Sequence, residues 1–435
     1  MGFLLLIILG ALLLSLPCAS AAGRSIGALN GIFTATSAVC VTGLIVVDTG
    51  KVFSLFGQVV LLLLIQTGGL GFMAFATMAM AALGRRITLK ERLLIQKSYS
   101  TGTLSGLVRI ICWYGLLAAL VELSGAALLS VRFVRMYGWV RGCWYGIWHA
   151  VSAFCNAGFD LFGSYESLMP FATDPLVLIT LALLVVIGGL GFSVISEALA
   201  NRLKWRGLSL HARLVLLSTA VLLAAGTVAF LLLEWGNAQT LGRFDAHAVR
   251  VLNAFFQSVT MRTAGFNSVD LSAMTDGSKL VSVMLMMIGA SSASTGGGMK
   301  TTTVVLLLLS AWAVISGRAE TAVMGRRIPR DLILRALAVA MVTLLICLGA
   351  TLALTVTEGG EPAFIDLLFE AASAVATVGV SSAGTSGLSS AGRMILIPVM
   401  YIGRVGPLTL AFALAKRRGS RGGGLRFPEE RVMIG

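Results

Sequence analysis

The residues of this chain best placed to do chemistry are four glycines, each closing a short apolar segment. Phe369 to Val380 carries Glu370 and ends in Ala376-Thr377-Val378-Gly379. Phe33 to Leu44 ends in Cys40-Val41-Thr42-Gly43, and Trp148 to Phe159 in Cys155-Asn156-Ala157-Gly158. Phe255 to Phe266 ends in Arg262-Thr263-Ala264-Gly265. Each segment opens on an aromatic residue and reaches its glycine ten residues later; the glycines lie 115, 107 and 114 residues apart. A period held this closely marks internal duplication.

The chemistry on offer is coordination of a cation by main-chain oxygen. A helix that enters a membrane only halfway leaves unpaired backbone at depth, tolerated only where protein buries it or it lines a water-filled path. Glycine adopts backbone angles that other residues resist, so successive carbonyls can face one way. A helix entering from outside also aims its partly negative C-terminus at that spot. Potassium channels use four such loops, whose carbonyls replace the hydration shell of the ion. One such stretch alone is no more than a glycine turn in an apolar helix; four at near-equal spacing, each between two spanning segments, predict a ring.

The elements that must hold these loops are membrane spans. The chain has 435 residues, 57% hydrophobic and 12% charged, with mean hydropathy +0.92. That is too apolar for a soluble domain. The net charge of +14 does not point to nucleic acid, because the basic residues fall in short clusters between apolar segments, as in membrane-protein loops. The six cysteines form no CxxC pair and predict neither a disulfide framework nor a zinc site.

Apolar runs long enough to span, at about 20 residues each, bracket the filters: 4–16 and 55–83, 108–131 and 176–199, 214–233 and 280–313, 332–356 and 394–415. The first could be read as a signal peptide, but no Lys or Arg precedes it and the repeat needs a helix there. The expected fold is an all-α membrane protein of four tandem helix–pore-helix–filter–helix repeats, eight transmembrane helices in all, around a central pore. The repeats are drawn at 1–88, 89–206, 207–325 and 326–415, with a basic tail at 416–435. Thr88-Leu89-Lys90-Glu91 reads as a capping box that starts an interfacial helix. Loops after the returning helices, with the tail, hold 20 of the 33 Lys and Arg, against nine on the filter side. This bias predicts cytoplasmic loops and termini, with filters facing out. Arg132, Arg135 and Arg141 run against it.

The return helices carry a second pattern. Gly68-Gly69-Leu70-Gly71-Phe72 is repeated as Gly188-Gly189-Leu190-Gly191-Phe192. In the third return helix its place is taken by Gly289-Ala290-Ser291-Ser292-Ala293-Ser294-Thr295-Gly296-Gly297-Gly298-Met299-Lys300, and in the fourth by Gly403-Arg404. Three consecutive glycines cost about 1 kcal/mol each in a helix relative to alanine, so a break is expected about halfway down the membrane. The polar loop and the Arg404 charge beside a cation path read as a gate. The bland alternative is a glycine-rich kink with Arg404 capping loop carbonyls.

On these motifs the chain resembles the Trk/Ktr/HKT superfamily of potassium transporters, most of all the Ktr membrane subunit. Thr377-Val378-Gly379 matches the potassium-channel filter, and the other three segments resemble the remaining family filters. The Trk branch carries additional N-terminal helices, whereas this sequence starts within the first repeat. The resemblance implies potassium uptake through one pore per subunit of a homodimer in the bacterial plasma membrane. It also implies a cytoplasmic ring of nucleotide-binding, RCK-type regulatory subunits, no cofactor on this chain, and sodium as a modulator. Arg262 is expected to point behind its filter, with Glu370 as its partner in support of the filter. Glu122, inside a span, has no partner legible in the sequence.

Two other classes compete. A secondary carrier with strictly coupled sodium would use inverted repeats, whereas all four basic clusters here lie on one side. An intramembrane enzyme finds no support in the three histidines, none of which is at metal-ligand spacing from another. Ser294 to Thr301 looks faintly like a phosphate loop, but Met299 stands where glycine should precede the lysine.

Overall fold

The computed structural model describes residues 2–71, 74, 75, 77, 78, 107–202, 204–318 and 320–406. The expected capping box at Thr88, the first basic cluster and the basic tail lie outside them. The fold is built almost entirely of helices: α1 (Gly2–Leu14), α2 (Ala28–Val39), α3 (Leu55–Leu70), α4 (Leu107–Tyr137), α5 (Trp139–Phe154), α6 (Pro175–Leu190) and α7 (Phe192–Ala200). These are followed by α8 (Leu210–Glu234), α9 (His247–Thr260), α10 (Asp276–Met287) and α11 (Thr301–Ile315). After a two-stranded hairpin, β1 (Ala322–Val323) and β2 (Arg326–Arg327), come α12 (Arg330–Thr357), α13 (Phe364–Ala376) and α14 (Ser390–Val405).

Among the described residues, three helices, α4, α8 and α12, are each long and apolar enough to cross a bilayer, and the bent pair α6–α7 is a fourth if counted as one span. The filter helices α2, α5, α9 and α13 are 12 to 16 residues long. At 1.5 Å per residue they reach about 24 Å at most, short of a ~30 Å hydrocarbon core. Exposed leucines and valines cover the outer faces of α4, α8 and α12.

The return segments are not the continuous spans their hydropathy suggests. α6 and α7 meet at 95° across Gly191. Gly71, Gly191 and Gly406 end α3, α6 and α14 with nearly the same backbone, φ of 86°, 92° and 88° and ψ of 133°, 137° and 132°. Only glycine adopts this region readily. The third return segment stops at Met287 and resumes at Thr301. The second and third return segments are therefore interrupted, and the helices of the first and fourth end at the same kind of glycine.

One repeated contact sets the angle at which each return helix leaves the preceding span. Its N-cap residue is tied to the end of that span or the turn after it. Ser54 donates to the Cys18 carbonyl at 2.6 Å, Asp174 pairs with Arg132 at 2.5 Å, Thr275 Oγ1 donates to Glu234 at 2.8 Å, and Ser389 Oγ to Glu358 at 2.7 Å. The Arg132 pair gives one filter-side arginine a local reason to be there. Arg141 lies over the Tyr145 ring at 5.8 Å.

Candidate functional site

The filter helices end in one shared way. Val41, Asn156, Thr263 and Thr377 have φ of 54°, 57°, 71° and 52°. Each lies two residues before its glycine, and Gly43, Gly158, Gly265 and Gly379 have φ of 91°, 68°, 86° and 93°. Left-handed geometry is an outlier for β-branched residues such as Val41, Thr263 and Thr377, costing on the order of 1–3 kcal/mol each. In repeats one, two and four a Schellman-type closure holds it: Thr42 N donates to Ser37 O, Ala157 N to Ser152 O and Val378 N to Ser373 O, each at 2.8 Å. In the third, Ala264 N donates to Thr260 O at 3.0 Å.

Serines and threonines of the filter helices lock the far end of each strand. Ser37 and Ser373 each accept from the filter glycine N–H at 3.0 Å. Ser152 Oγ donates to Phe159 O at 2.8 Å, and Thr260 Oγ1 to Phe266 O. Asn156 and Thr263, on neighbouring filters, are hydrogen-bonded through their side chains at 3.1 Å.

The four glycines touch in cyclic order. A Cβ on Gly43 would meet Ala157 O at 2.5 Å, one on Gly158 the Gly265 Cα at 2.6 Å, one on Gly265 the Val378 O at 2.7 Å, and one on Gly379 the Thr42 carbonyl. The first filter thus abuts the second, the second the third, the third the fourth, and the fourth the first. Above them a cavity of about 240 Å³ is lined by all four glycines together with Asp160, Asn267, Asp270 and Ser381. Burial, with Asp48 nearby, pushes the Asp160 carboxyl up to about 6 against the pull of the Phe162 and Gly163 N–H groups.

Beneath the ring lies the loop from Gly289 to Lys300. Thr295 Oγ1 donates to Phe154 O, at the end of the second filter helix, at 3.0 Å. Ser291 N and Thr295 N donate to Gly189 O and Gly188 O at 3.0 and 3.2 Å, and Ala293 O accepts from Phe192 N at 3.1 Å. Its glycines have no room for side chains. A Cβ on Gly296 would strike Thr263 Oγ1, one on Gly297 would strike Thr377 Oγ1, and one on Gly298 would meet Ala376 O at 2.9 Å. Thr377 Oγ1 is buried with no hydrogen-bond partner. Lys300 Nζ folds back on Gly296 O at 2.8 Å. Ser291 and Ser292 bond the hydroxyls of Thr301 and Thr302, each at 3.2 Å, so the loop is anchored to the start of α11.

Arg404 joins this loop to the first repeat. Its guanidinium donates to the carbonyls of Thr295 and Gly68, and to Gly69 O at 3.3 Å. Arg404 occupies the place that Gly69 and Gly189 hold in repeats one and two. The glycine before it is fixed by packing in all three: a Cβ on Gly68, Gly188 or Gly403 would strike the carbonyl of Val39, Phe154 or Val375. Each of those carbonyls lies four residues before its filter glycine, so the break in the return helix is seated against the base of the filter.

One expected pairing is overturned. Arg262 is buried behind the third filter, but its partner is not Glu370. Its guanidinium reaches Thr219 of α8 at 3.5 Å, and its Nε is unsatisfied. Glu370 instead accepts from Ser381 Oγ and, at 3.2 Å, from Thr385 Oγ1, so it holds the strand leaving its own filter. Both groups face elements of their own repeat, which charge matching could not foresee. Glu122 has the partner the sequence did not reveal: Gln66 Nε2 donates to both carboxylate oxygens at 3.0 and 3.1 Å, and Cys155 Sγ donates to Gln66 Oε1 at 3.3 Å. The only available signal was a Gln inside an apolar run beside the Gly68 motif.

His149 is structural. Its Nδ1 donates to Tyr145 O at 2.7 Å, its Nε2 accepts from Leu161 N at 3.4 Å, and its ring stacks on Phe162 at 4.3 Å. No group of three or more His, Cys, Asp or Glu that could hold a metal ion occurs among the described residues.

A helical membrane protein with apolar spans, four strained strand ends meeting at one point and a polar loop beneath them belongs to the class of membrane transport proteins. The chain is a member of the TrkH family of cation transport proteins, whose profile matches residues 5–420. It is 42% identical to the Ktr system potassium uptake protein B of Bacillus subtilis, over the whole of this chain and 95% of that protein. It is 38% identical to the potassium/sodium uptake protein NtpJ of Enterococcus hirae, over the whole of this chain and 96% of that protein. The potassium transporter TrkH from Vibrio parahaemolyticus shares the fold, with a TM-score of 0.72 at 18% identity over 95% of this chain and 84% of that one.

Proposed function

We propose that this protein takes up potassium across the bacterial plasma membrane through a pore formed by the four filter strands of a single chain. The observation that carries the reading is the pair of left-handed positions, residue and glycine, repeated in four strands whose glycines abut in cyclic order. Carbonyls held in a ring can replace the hydration shell of a potassium ion. The names of the Bacillus and Enterococcus relatives support the substrate, and the second supports sodium as a permeating or modulating ion.

In this reading the chain has four repeats and eight spanning segments, several broken at mid-depth, with both termini in the cytoplasm. The Gly289–Lys300 loop and Arg404 close the path below the filter. A homodimer carries one pore per subunit, and a nucleotide-binding regulatory ring on the cytoplasmic side moves the loop. The word "system" in the name of the Bacillus relative supports a partner subunit.

The test is ion flux in proteoliposomes containing the purified protein. Potassium uptake should exceed sodium uptake, and added sodium should not be required in a fixed ratio. Strict stoichiometric coupling of the two ions would assign the protein to the carriers.

A further inference from the structure

At the end of α11 and α12 remote from the filter mouth, the chain forms a preorganised basic pocket. Gly317, with φ of 67°, closes α11, and the N–H of Arg318 bonds back to Ala313 O at 2.9 Å, a Schellman end that fixes the arginine at the helix terminus. The following hairpin pairs Ala322 with Arg327 and Val323 with Arg326 across Met324 and Gly325. Both turn residues have positive φ, 50° and 75°, as a two-residue type I′ turn requires. Ile328 N donates to Thr321 O at 2.9 Å, and Arg330 then opens α12.

These elements enclose about 630 Å³ lined by Arg318, Arg327 and Arg330, by Glu320 and by apolar residues that include Ala313, Val314 and Leu334. Arg327 is paired with Glu320 at 2.9 Å. Arg318 and Arg330 have no carboxylate partner among the described residues. Arg330 also stands in the first turn of a helix, where a cation opposes the helix dipole and gains from a neighbouring anion. The apolar wall continues onto lipid-facing surface: Val314, Ile315 and Leu334 are 73%, 78% and 66% exposed. Trp312, 64% exposed on the last turn of α11, marks the headgroup level that tryptophan favours.

We infer that this pocket binds the phosphate headgroup of an anionic phospholipid, with the acyl chains lying along Val314, Ile315 and Leu334. A basic pocket between spanning helices at the cytoplasmic boundary is the arrangement that retains such lipids. A soluble phosphate would use the arginines but leave the apolar wall bare.

The test is lipid retention by the intact protein, read separately from transport. The protein is reconstituted in nanodiscs of phosphatidylcholine with phosphatidylglycerol, extracted in mild detergent, and its bound lipids are counted by native mass spectrometry. Phosphatidylglycerol should be retained over phosphatidylcholine. R318Q and R330Q should each weaken retention about fivefold and the double variant about twentyfold, as expected for arginines near a membrane surface. R335Q, whose arginine pairs with Asp331 outside the pocket at 3.7 Å, should leave it unchanged and controls for diffuse charge.

Three outcomes overturn the inference. They are equal loss in R335Q, displacement of the lipid by free glycerol phosphate at matched concentration, and full retention in the double variant. Loss of the regulatory partner or of dimer formation with lipid retention unchanged would assign the pocket to a protein interface instead.

Discussion

The ring of four glycines and the layer directly beneath it draw on the same four helix–glycine segments and the helices that follow them, yet only the first is regular. In the ring every strand has its left-handed residue two positions before the glycine, and each glycine faces the next. One layer down, repeats one and two present Gly69 and Gly189, the fourth presents Arg404, and the third inserts a loop. A spherical ion coordinated by carbonyls favours equivalent ligands on all sides. A plug needs only one element that crosses the axis, and duplicating it would crowd the path. On the function proposed above, the contrast separates a regular coordinating layer from an irregular closing layer one step below it.

The comparison breaks most visibly at the ring. Gly379→Ser would place a Cβ against the Thr42 carbonyl on a backbone with φ of 93°. Strain of about 1–3 kcal/mol transferred to coordination lowers potassium affinity by roughly tenfold or more and admits sodium. Competitive uptake of the two ions in proteoliposomes checks this, with Gly43→Ser as an independent repeat. Unchanged selectivity in both variants would falsify the ring.

The lower layer is tested by Arg404→Ser. The arginine makes hydrogen bonds to three carbonyls, joining the loop to the first repeat, and charged hydrogen bonds are worth about 1.5–3 kcal/mol each. Potassium flux without the regulatory partner should rise roughly tenfold, and deletion of residues 290–297 should raise it at least as much. Variants that insert normally yet conduct no faster than the parent would remove the loop from gating and leave it a structural kink.

A smaller effect is expected above the ring. Asp160 titrates at about 6, raised mainly by burial, with Asp48 nearby and Asp270 lining the same cavity. Above that pH the carboxylate is charged and attracts cations to the mouth; below it the charge is lost. Uptake at limiting potassium should therefore fall by about two- to threefold as external pH drops from 7 to 5, the scale of one partly screened charge. Asp160→Asn should abolish the step while keeping the low-pH rate. A pH profile of Asp160→Asn that matches the parent would place the titration elsewhere.

The smallest expected effect is a null one. Because Arg262 and Glu370 bond different partners, Thr219 and Ser381–Thr385, a double-mutant cycle of Arg262→Gln and Glu370→Gln on thermal stability should show coupling below about 0.5 kcal/mol. A coupling of several times that would restore the pair.

Much of this was legible in the sequence because duplication leaves a period. The glycines at 43, 158, 265 and 379, the apolar segments between them and the interruption at Gly289 all rest on local rules, in which glycine frees the backbone and apolar runs seek lipid. Other features depend on backbone conformation and packing that composition does not display. The strained Val41, Asn156 and Thr377 look like ordinary helix-end residues until their Schellman closures are seen. Gly71 and Gly406 sit in apolar runs that hydropathy alone reads as unbroken spans. Gln66 found Glu122 in the next repeat and Arg262 found Thr219 within its own, because side chains 43 to 56 residues apart meet only once the helices have packed. The sequence by itself determined the near-equal spacing of the four glycines that close apolar segments and the membrane-type hydropathy, since these follow from spacing and composition. Only the tertiary structure decided the order in which the filter strands abut, the partners of the buried charges and the contacts by which the loop, expected from its spacing to lie below the filter, packs there, since each depends on distances between segments remote in the chain.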